Sequence, residues 1–164
     1  AKNQSLYDYF QSGEVNISEI IDAADLASLG LVENKQKMVD FLQSVESSVR
    51  YWGATGLLIL GENARSEISA LKIAATDSSV NVAVVAAEAL YNLGEKQEAN
   101  RAFIRALRTN REFAQTQAMN SIYLVDNNSE DIKSEVLSAV KVMKENTYSY
   151  RAAMNLIDKW GLKE

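Results

Sequence analysis

Apolar residues recur along this chain at intervals of three and four, the spacing that places side chains on one face of an α-helix. The pattern recurs in four segments, which contain Met38, Phe41, Leu42 and Val45; Ile68, Leu71 and Ala75; Ala99, Ala102, Phe103, Ala106 and Leu107; and Ile132, Val136, Val140 and Met143. The chain has no Pro and only seven Gly, so little interrupts such helices. We therefore predict an all-α protein.

A second set of helices alternates with these segments and repeats in sequence. Residues 49–61, which read VRYWGATGLLILG, align without gaps on residues 82–94, which read VAVVAAEALYNLG, at an offset of 33. Residues 114–126 and 149–161 follow at offsets of 32 and 35 and keep the apolar spacing. A period of about 30 to 35 residues built from two helices is typical of a solenoid, in which each unit buries its open face on the next.

The period predicts one domain that covers residues 1–164. It divides the domain into an N-terminal segment, 1–30, and four helix-pair repeats, 31–61, 62–94, 95–127 and 128–161. Asn16 and Glu19 have the spacing of a capping box and Gly30 is placed as a C-cap, so we expect a capping helix at 17–29. Polar side chains at 77–79 and 126–129 are expected to accept hydrogen bonds from free N–H groups at helix starts.

The composition excludes much of known enzyme chemistry from this chain. It has no Cys and no His, so it lacks disulfides, thiolate nucleophiles, imidazole bases and the common zinc ligand sets. Gly53 and Gly56 fall inside a helical pattern and match no phosphate-binding loop. We predict no catalytic residues, no cofactor and no metal site, and so a chain that is not itself an enzyme.

Charge and hydropathy bear on the partners of the chain. The net charge is −5, so the basic footprint of a nucleic-acid-binding protein is absent. The longest apolar run, residues 56–61, is far shorter than the roughly 20 residues of a membrane span, and we expect no membrane insertion and no signal peptide. The partner that remains is another protein or protein domain. A lack of Cys fits both exported and cytoplasmic proteins and leaves the localisation open.

The second helices resemble the HEAT-like repeat of phycobilin-lyase type, whose second helix commonly reads Val-Arg, Ala-Ala, Glu-Ala-Leu and Leu-Gly. Val49-Arg50 carries the first part, and residues 86–90 followed by Leu93-Gly94 carry the rest. Ala83 and Gln115 depart from the pattern at the place of Arg50. The resemblance implies a right-handed α-α superhelix of HEAT or armadillo type. A bilin lyase activity would follow from the family's name alone, and the lack of His and Cys argues against it.

A narrower resemblance is to the helical-repeat region that follows the catalytic domain of some bacterial sulfatases. It is carried by residues 17–28 and 48–52, which read ISEIIDAADLAS and SVRYW. This resemblance implies a C-terminal accessory domain of an exported sulfatase. The sulfatase nucleophile motif contains Pro, so it cannot lie in this chain.

On the second helices, polar and aromatic side chains recur away from the stripe formed by Leu57, Leu60, Leu90 and Leu93. They are Tyr51, Thr55, Glu88, Tyr91, Asn92, Asn120 and Tyr123. Tyr combines a large apolar body with a polar tip, which suits recognition surfaces, so we predict an interaction face here. The alternative is partial burial of these side chains between adjacent repeats.

Three further groups have a functional and a structural interpretation. Arg101, Arg105, Arg108 and Arg111 follow one helix face and could hold sulfate or phosphate, although a solvated outer face is the expected alternative. Trp52, Tyr148, Tyr150 and Trp160 could stack on a sugar, although core packing is the simpler interpretation. The carboxylate pairs Asp22/Asp25 and Glu130/Asp131 lack the spacing of a calcium loop, and the second pair, next to Ser129, suits a helix N-terminus.

The function predicted from these features is a non-catalytic interaction or support module. One form is the C-terminal accessory domain of an exported sulfatase, docked through the apolar cluster Leu6, Tyr7, Tyr9 and Phe10. The other is a free-standing scaffold that binds a protein or peptide along the concave face of the second helices.

Overall fold

The computed structural model describes residues 16–162, and all regular structure in that range is helical. The prediction of an all-α protein is therefore confirmed. The α-helices are α1 (Ile17–Ser28), α2 (Lys35–Phe41), α3 (Ser47–Leu60), α4 (Ile68–Ala74), α5 (Val80–Asn92), α6 (Lys96–Leu107), α7 (Glu112–Leu124), α8 (Glu130–Val140) and α9 (Tyr148–Lys159). Short 3₁₀ helices at Val32–Asn34 and Gly61–Glu67 precede α2 and α4.

Helix α1 begins and ends where the sequence indicates. The side chain of Asn16 accepts a hydrogen bond from the backbone N–H of Glu19 at 3.2 Å, which satisfies one of the free donors of the first turn. Gly30 follows the helix with φ of +61°, a left-handed conformation that glycine adopts without the steric penalty of a side chain. The helix packs against α3 and contacts α2.

Helices α2 and α8 are shorter than their apolar patterns predict. Helix α2 ends at Phe41, and the N–H groups of Gln43 and Ser44 bond three residues back, which tightens the chain into a turn. Val45 therefore lies beyond the helix and is 93% exposed, so its assignment to the apolar face was wrong. Helix α8 likewise ends at Val140, before Met143, although Met143 still packs against the core.

The helices contact one another in a regular order. Each of the second helices α3, α5, α7 and α9 packs on the helix just before it, which is α2, α4, α6 or α8. The second helices also contact one another in chain order, α3 with α5, α5 with α7 and α7 with α9. Equivalent apolar side chains on them are buried, namely Leu57, Leu90, Ile122 and Ile157. None of the helices within 16–162 is long and apolar enough to cross a membrane.

Small residues allow the second helices to approach their neighbours closely. Gly53 is the tightest case, because a Cβ atom there would lie 2.7 Å from the backbone oxygen of Met38 in α2. The equivalent positions on the other second helices are Ala86, Ala118 and Ala153, all buried. The first helix pair is therefore packed more closely at this position than a methyl group would permit.

Arg50 joins the first pair of helices to the second. Its guanidinium donates to both carboxylate oxygens of Asp77, at 2.7 and 3.0 Å, and to the carbonyl oxygens of Ser44 and Val45, at 2.9 Å each. Asp77 also accepts from the N–H of Ser79, at the start of α5. Burial alone would raise the pKa of Asp77, but the hydrogen bonds from Arg50 and Ser79 outweigh it and hold that pKa below its ordinary value.

The second pair has Ala83 at the place of Arg50. A guanidinium from another helix donates instead to the carbonyl groups of the turn between α4 and α5. Arg105 of α6 donates to the carbonyl oxygens of Ala75 and Asp77 at 3.0 and 3.1 Å. In the third pair Gln115 holds the corresponding position and donates to the carbonyl oxygens of Leu107 and Thr109. In each of the first three pairs, a side chain thus donates to the carbonyl groups of the turn between the two helices, but the donor is Arg50 in the first, Arg105 in the second and Gln115 in the third.

A buried amide network joins α6 to the start of α8. Asn127 is fully buried, and its amide nitrogen donates to Asn100 at 2.7 Å while its oxygen accepts from the N–H of Ser129. Asn100 in turn donates to Asp131. Hydrogen bonds, led by the one from Ser129, lower the pKa of Asp131. Asn127 accepts from the N–H of Ser129 just before α8, as Asp77 accepts from the N–H of Ser79 just before α5. Both contacts agree with the prediction that polar side chains at 77–79 and 126–129 accept from N–H groups at helix starts.

Candidate protein-interaction groove

A groove of about 370 Å³ crosses the second helices α3, α5 and α7. We call it the central groove. Its lining side chains are Tyr51, Thr55 and Leu58 of α3, Val85 and Glu88 of α5, and Phe113, Thr116, Gln117, Asn120, Ser121 and Leu124 of α7. Three consecutive second helices therefore contribute to one surface.

Helical periodicity explains why these residues meet. Tyr51, Thr55 and Leu58 lie at i, i+4 and i+7 on α3, and so share one side of that helix. Leu57 and Leu60 of the same helix point into the core. Since α3, α5 and α7 pack in sequence, the sides that do not face the core lie next to one another.

Two large apolar side chains of the groove are exposed. Phe113 is 75% and Leu124 is 72% exposed, although both belong to a concave surface. The Phe113 ring lies 6.3 Å from that of Tyr148 in α9, at an interplanar angle of 30°. Exposed apolar side chains gathered in a groove are typical of a binding site, whereas isolated ones are common on any surface.

Glu88 is the one ionisable carboxylate that lines the groove. The hydroxyl of Ser121, which is 4% exposed, donates to its Oε2 at 2.6 Å. No Lys or Arg of residues 16–162 forms an ion pair with it. The groove thus combines apolar side chains with one fixed, half-buried carboxylate.

The groove contains four of the seven residues of the predicted interaction face, namely Tyr51, Thr55, Glu88 and Asn120. Tyr91 and Tyr123 lie outside it, beneath the ammonium groups of Lys96 and Lys159, which are 5.1 and 4.2 Å from the ring centres. Asn92 is exposed beyond the groove. Lys159 also donates to the carbonyl oxygen of Tyr123. Tyr91 and Tyr123 of the predicted face therefore already make contacts within the chain.

Sequence reasoning missed five of the six residues that α7 adds to the groove, all except Asn120. Phe113, Gln117, Asn120 and Leu124 lie at i, i+4, i+7 and i+11, a spacing that places them on one side of the helix. This spacing is visible in the sequence. It was overlooked because the apolar residues along α7 were assigned only to the buried side, where Ala118 and Ile122 do lie.

The four arginines of the predicted anion patch have different surroundings. Arg105 donates to backbone carbonyls, and Arg108 donates to both carboxylate oxygens of Glu135; these hydrogen bonds raise the pKa of Arg108. Arg101 and Arg111 are exposed and have no side-chain partner among residues 16–162. Two of the four guanidinium groups are thus committed to contacts within the protein, and anion binding stays a prediction.

The aromatic residues considered for sugar stacking do not gather on one surface. Trp52 is half-buried against the core and meets Tyr51 edge-to-face, with ring centres 5.7 Å apart. Trp160 also packs against the core. Tyr148 is exposed beneath Arg151, and Tyr150 is half-buried on the same helix. Core packing accounts for the two tryptophans.

The predicted docking cluster Leu6, Tyr7, Tyr9 and Phe10 lies outside the described residues. Within those residues, no group of three or more acidic side chains could hold a metal ion. No protein-family model matches the chain, and no curated protein is similar to it at a significant level. The geometry of the groove is therefore the basis for a proposal about function.

Proposed function

We propose that this chain is a non-catalytic interaction module that binds a segment of another protein in the central groove. In this proposal the four helix pairs form a right-handed HEAT-like solenoid, with α1 as the cap at its N-terminal end. The contacts of α3, α5, α7 and α9 in chain order support the solenoid arrangement. The groove lies on these same helices, which in α-solenoids commonly form the binding wall.

The observation that carries the proposal is the exposure of Phe113 and Leu124 inside a groove. Each side chain would gain about 1.5 to 3 kcal/mol from full burial, so leaving both in water is unfavourable unless a partner covers them. Exposed apolar residues elsewhere, such as Ile73 and Val142, line none of the groove. An apolar segment that occupies the groove would cover exposed apolar side chains there.

The dimensions of the groove fit an extended peptide segment. Adjacent packed helices lie about 10 Å apart, so the span from α3 to α7 is about 20 Å. An extended chain covers that distance with about six residues, at about 3.3 Å each. The volume, about 370 Å³, is enough for a few side chains of such a segment.

Attachment to a sulfatase stays a prediction that rests on the sequence resemblance. It does not conflict with peptide binding, because a groove of this kind could hold a segment of a neighbouring domain as well as of a separate protein. Mass spectrometry of the intact polypeptide from its native source would decide it. A much longer chain with the sulfatase nucleophile motif upstream supports attachment, whereas a chain of about the 18.2 kDa of this sequence contradicts it.

A peptide selection with groove variants tests the proposed function. A phage-displayed library of random peptides is selected on the wild-type protein, and the dissociation constants of the selected peptides are measured by fluorescence anisotropy. We expect the double variant Phe113→Ser/Leu124→Ser to weaken binding by about tenfold or more, because both side chains would lose their buried area with the peptide.

The matched control is Ile73→Ser/Val142→Ser, which removes two apolar side chains of similar exposure outside the groove. It should leave the dissociation constants unchanged. Selected peptides that bind both double variants as tightly as the wild type would contradict the groove as the binding site, and so would a library that yields no binders.

A further inference from the structure

We propose that the segment bound in the central groove carries a Lys or Arg side chain beside a bulky apolar one, and that its cation pairs with Glu88. This inference rests on the proposed function and specifies the chemistry of the partner. The carboxylate would select the cationic residue, and either Phe113 near the start of α7 or Leu124 at its end would cover the apolar neighbour.

The first argument is the position of Glu88. It projects from α5, the middle of the three helices that form the groove, so its carboxylate lies between the contributions of α3 and α7. The hydroxyl of Ser121 donates to Oε2 at 2.6 Å and holds the carboxylate in place. Oε1 has no donor among the described residues and is available to a ligand.

The second argument is that Glu88 differs from the other acidic groups near this surface. Asp126 pairs with Lys159 at 2.9 Å, and Glu112 accepts from the N–H of Tyr148 and lies in the first turn of α7, where the helix dipole favours a carboxylate. Glu88 lies in the middle of α5 and, within the part of the chain that the structure describes, has a single neutral donor and no cation. A half-buried carboxylate is stabilised more by an ion pair than an exposed one, since fewer water molecules screen it. A cationic ligand would supply that pair.

The third argument is the match between the groove and the side chains of Lys and Arg. Both carry a long apolar stem that packs on apolar surface while the charged end reaches a polar group. Leu58 and Val85 line the groove together with Glu88 and offer such a surface. The chain as a whole has a net charge of −5, which also favours the approach of a basic segment.

The test compares Glu88→Gln with the wild type in the peptide selection. Gln has nearly the same shape and its oxygen can still accept from Ser121, so the fold should be retained, which circular dichroism checks. The matched control is Glu145→Gln, which makes the same change at an exposed residue outside the groove. Peptides selected on the wild type should contain Lys or Arg next to Leu, Phe, Met or Trp.

We expect Glu88→Gln to weaken these peptides by about tenfold and Glu145→Gln to leave them unchanged, with the difference reduced at high salt. Peptides that lack Lys and Arg, lose affinity with Phe113→Ser/Leu124→Ser and ignore Glu88→Gln would overturn this inference while the proposed function stands. Peptides indifferent to both changes would overturn both.

Discussion

Polar residues have opposite surroundings in two regions of the molecule. One region is the joints between helix pairs, formed by Arg50 with Asp77 and by Asn100 with Asn127, and the other is the central groove. At the joints, polar side chains are paired, as in the four hydrogen bonds that Arg50 donates to Asp77 and two carbonyl groups. In the groove, the Glu88 carboxylate accepts from Ser121 but has no cationic partner among residues 16–162, and Phe113 and Leu124 are largely exposed to water. Paired groups at the joints hold the helices together, whereas unpaired groups in the groove are available to a partner. Changes at a joint should therefore reduce stability, and changes in the groove should reduce binding.

The largest expected loss of stability follows Arg50→Ala. The change leaves the carboxylate of Asp77, whose side chain is 12% exposed, without its cation and frees the carbonyls of Ser44 and Val45. We expect the free energy of unfolding in urea to fall by about 2 to 3 kcal/mol. The control Arg101→Ala removes an exposed guanidinium that has no side-chain partner among residues 16–162, and it should change the free energy of unfolding by less than about 0.5 kcal/mol. Equal losses in the two variants would contradict the role of the joint.

The same joint should make stability depend on acid pH. The folded-state pKa of Asp77 is lowered, so its contribution is present above its unfolded pKa, about 3.9, and is lost as the pH falls through the folded value. Asp77→Asn should therefore be less stable than the wild type at about pH 7, with a gap that narrows below about pH 4. Urea unfolding across this range measures the gap. The exposed Asp22→Asn is the control, and an Asp77→Asn gap that stays constant with pH would refute the prediction.

The smallest effect on stability is expected in the groove. Phe113→Ser/Leu124→Ser removes side chains that are 75% and 72% exposed, so little buried area is lost on unfolding. We expect the free energy of unfolding to change by no more than about 0.5 kcal/mol per substitution. Thermal and urea unfolding of the double variant measure this. A loss as large as that of Arg50→Ala would mean that the two side chains hold the fold together and are not a free binding surface.

The helices could be predicted from sequence because their signals are local. The apolar spacing, the Asn16 cap and Gly30 all act within one or two turns, and each has the predicted geometry. Helix ends were less predictable, as Val45 shows: it continues the apolar spacing, yet the turn closes before it. The end of a helix depends on which groups donate hydrogen bonds to its last carbonyl oxygens and to those of the turn after it. Arg50, which donates to the carbonyl oxygens of Ser44 and Val45, comes from the next helix.

The joints were harder to predict because their partners are distant in sequence. Ala83 stands at the place of Arg50 in the second pair, so the repeat pattern predicts no guanidinium there. Arg105 reaches the turn from the next pair, across about 30 residues of sequence, and was itself assigned to an anion patch. The repeat alignment compares equivalent positions only, so it cannot reveal a replacement supplied by a different helix.

The residues of the groove could be predicted only in part. Tyr51, Thr55, Glu88 and Asn120 follow from helical spacing, and the structure brings them together. The exclusion of Tyr91 and Tyr123 depends on Lys96 and Lys159, whose positions over the rings depend on how the chain packs. Spacing identifies the face of a helix, but packing decides which part of that face is open.

The most direct test of the central groove as a binding site is site-specific cross-linking. The chain has no Cys, so Asn120→Cys in the groove and Ser69→Cys on the exposed side of α4 each provide a unique attachment point for a photo-cross-linker. We measure the fraction of a wild-type-selected peptide that becomes cross-linked at each position. Cross-linking at position 120 that greatly exceeds that at position 69 is the predicted result. Equal yields, or a higher yield at position 69, would contradict binding in the groove.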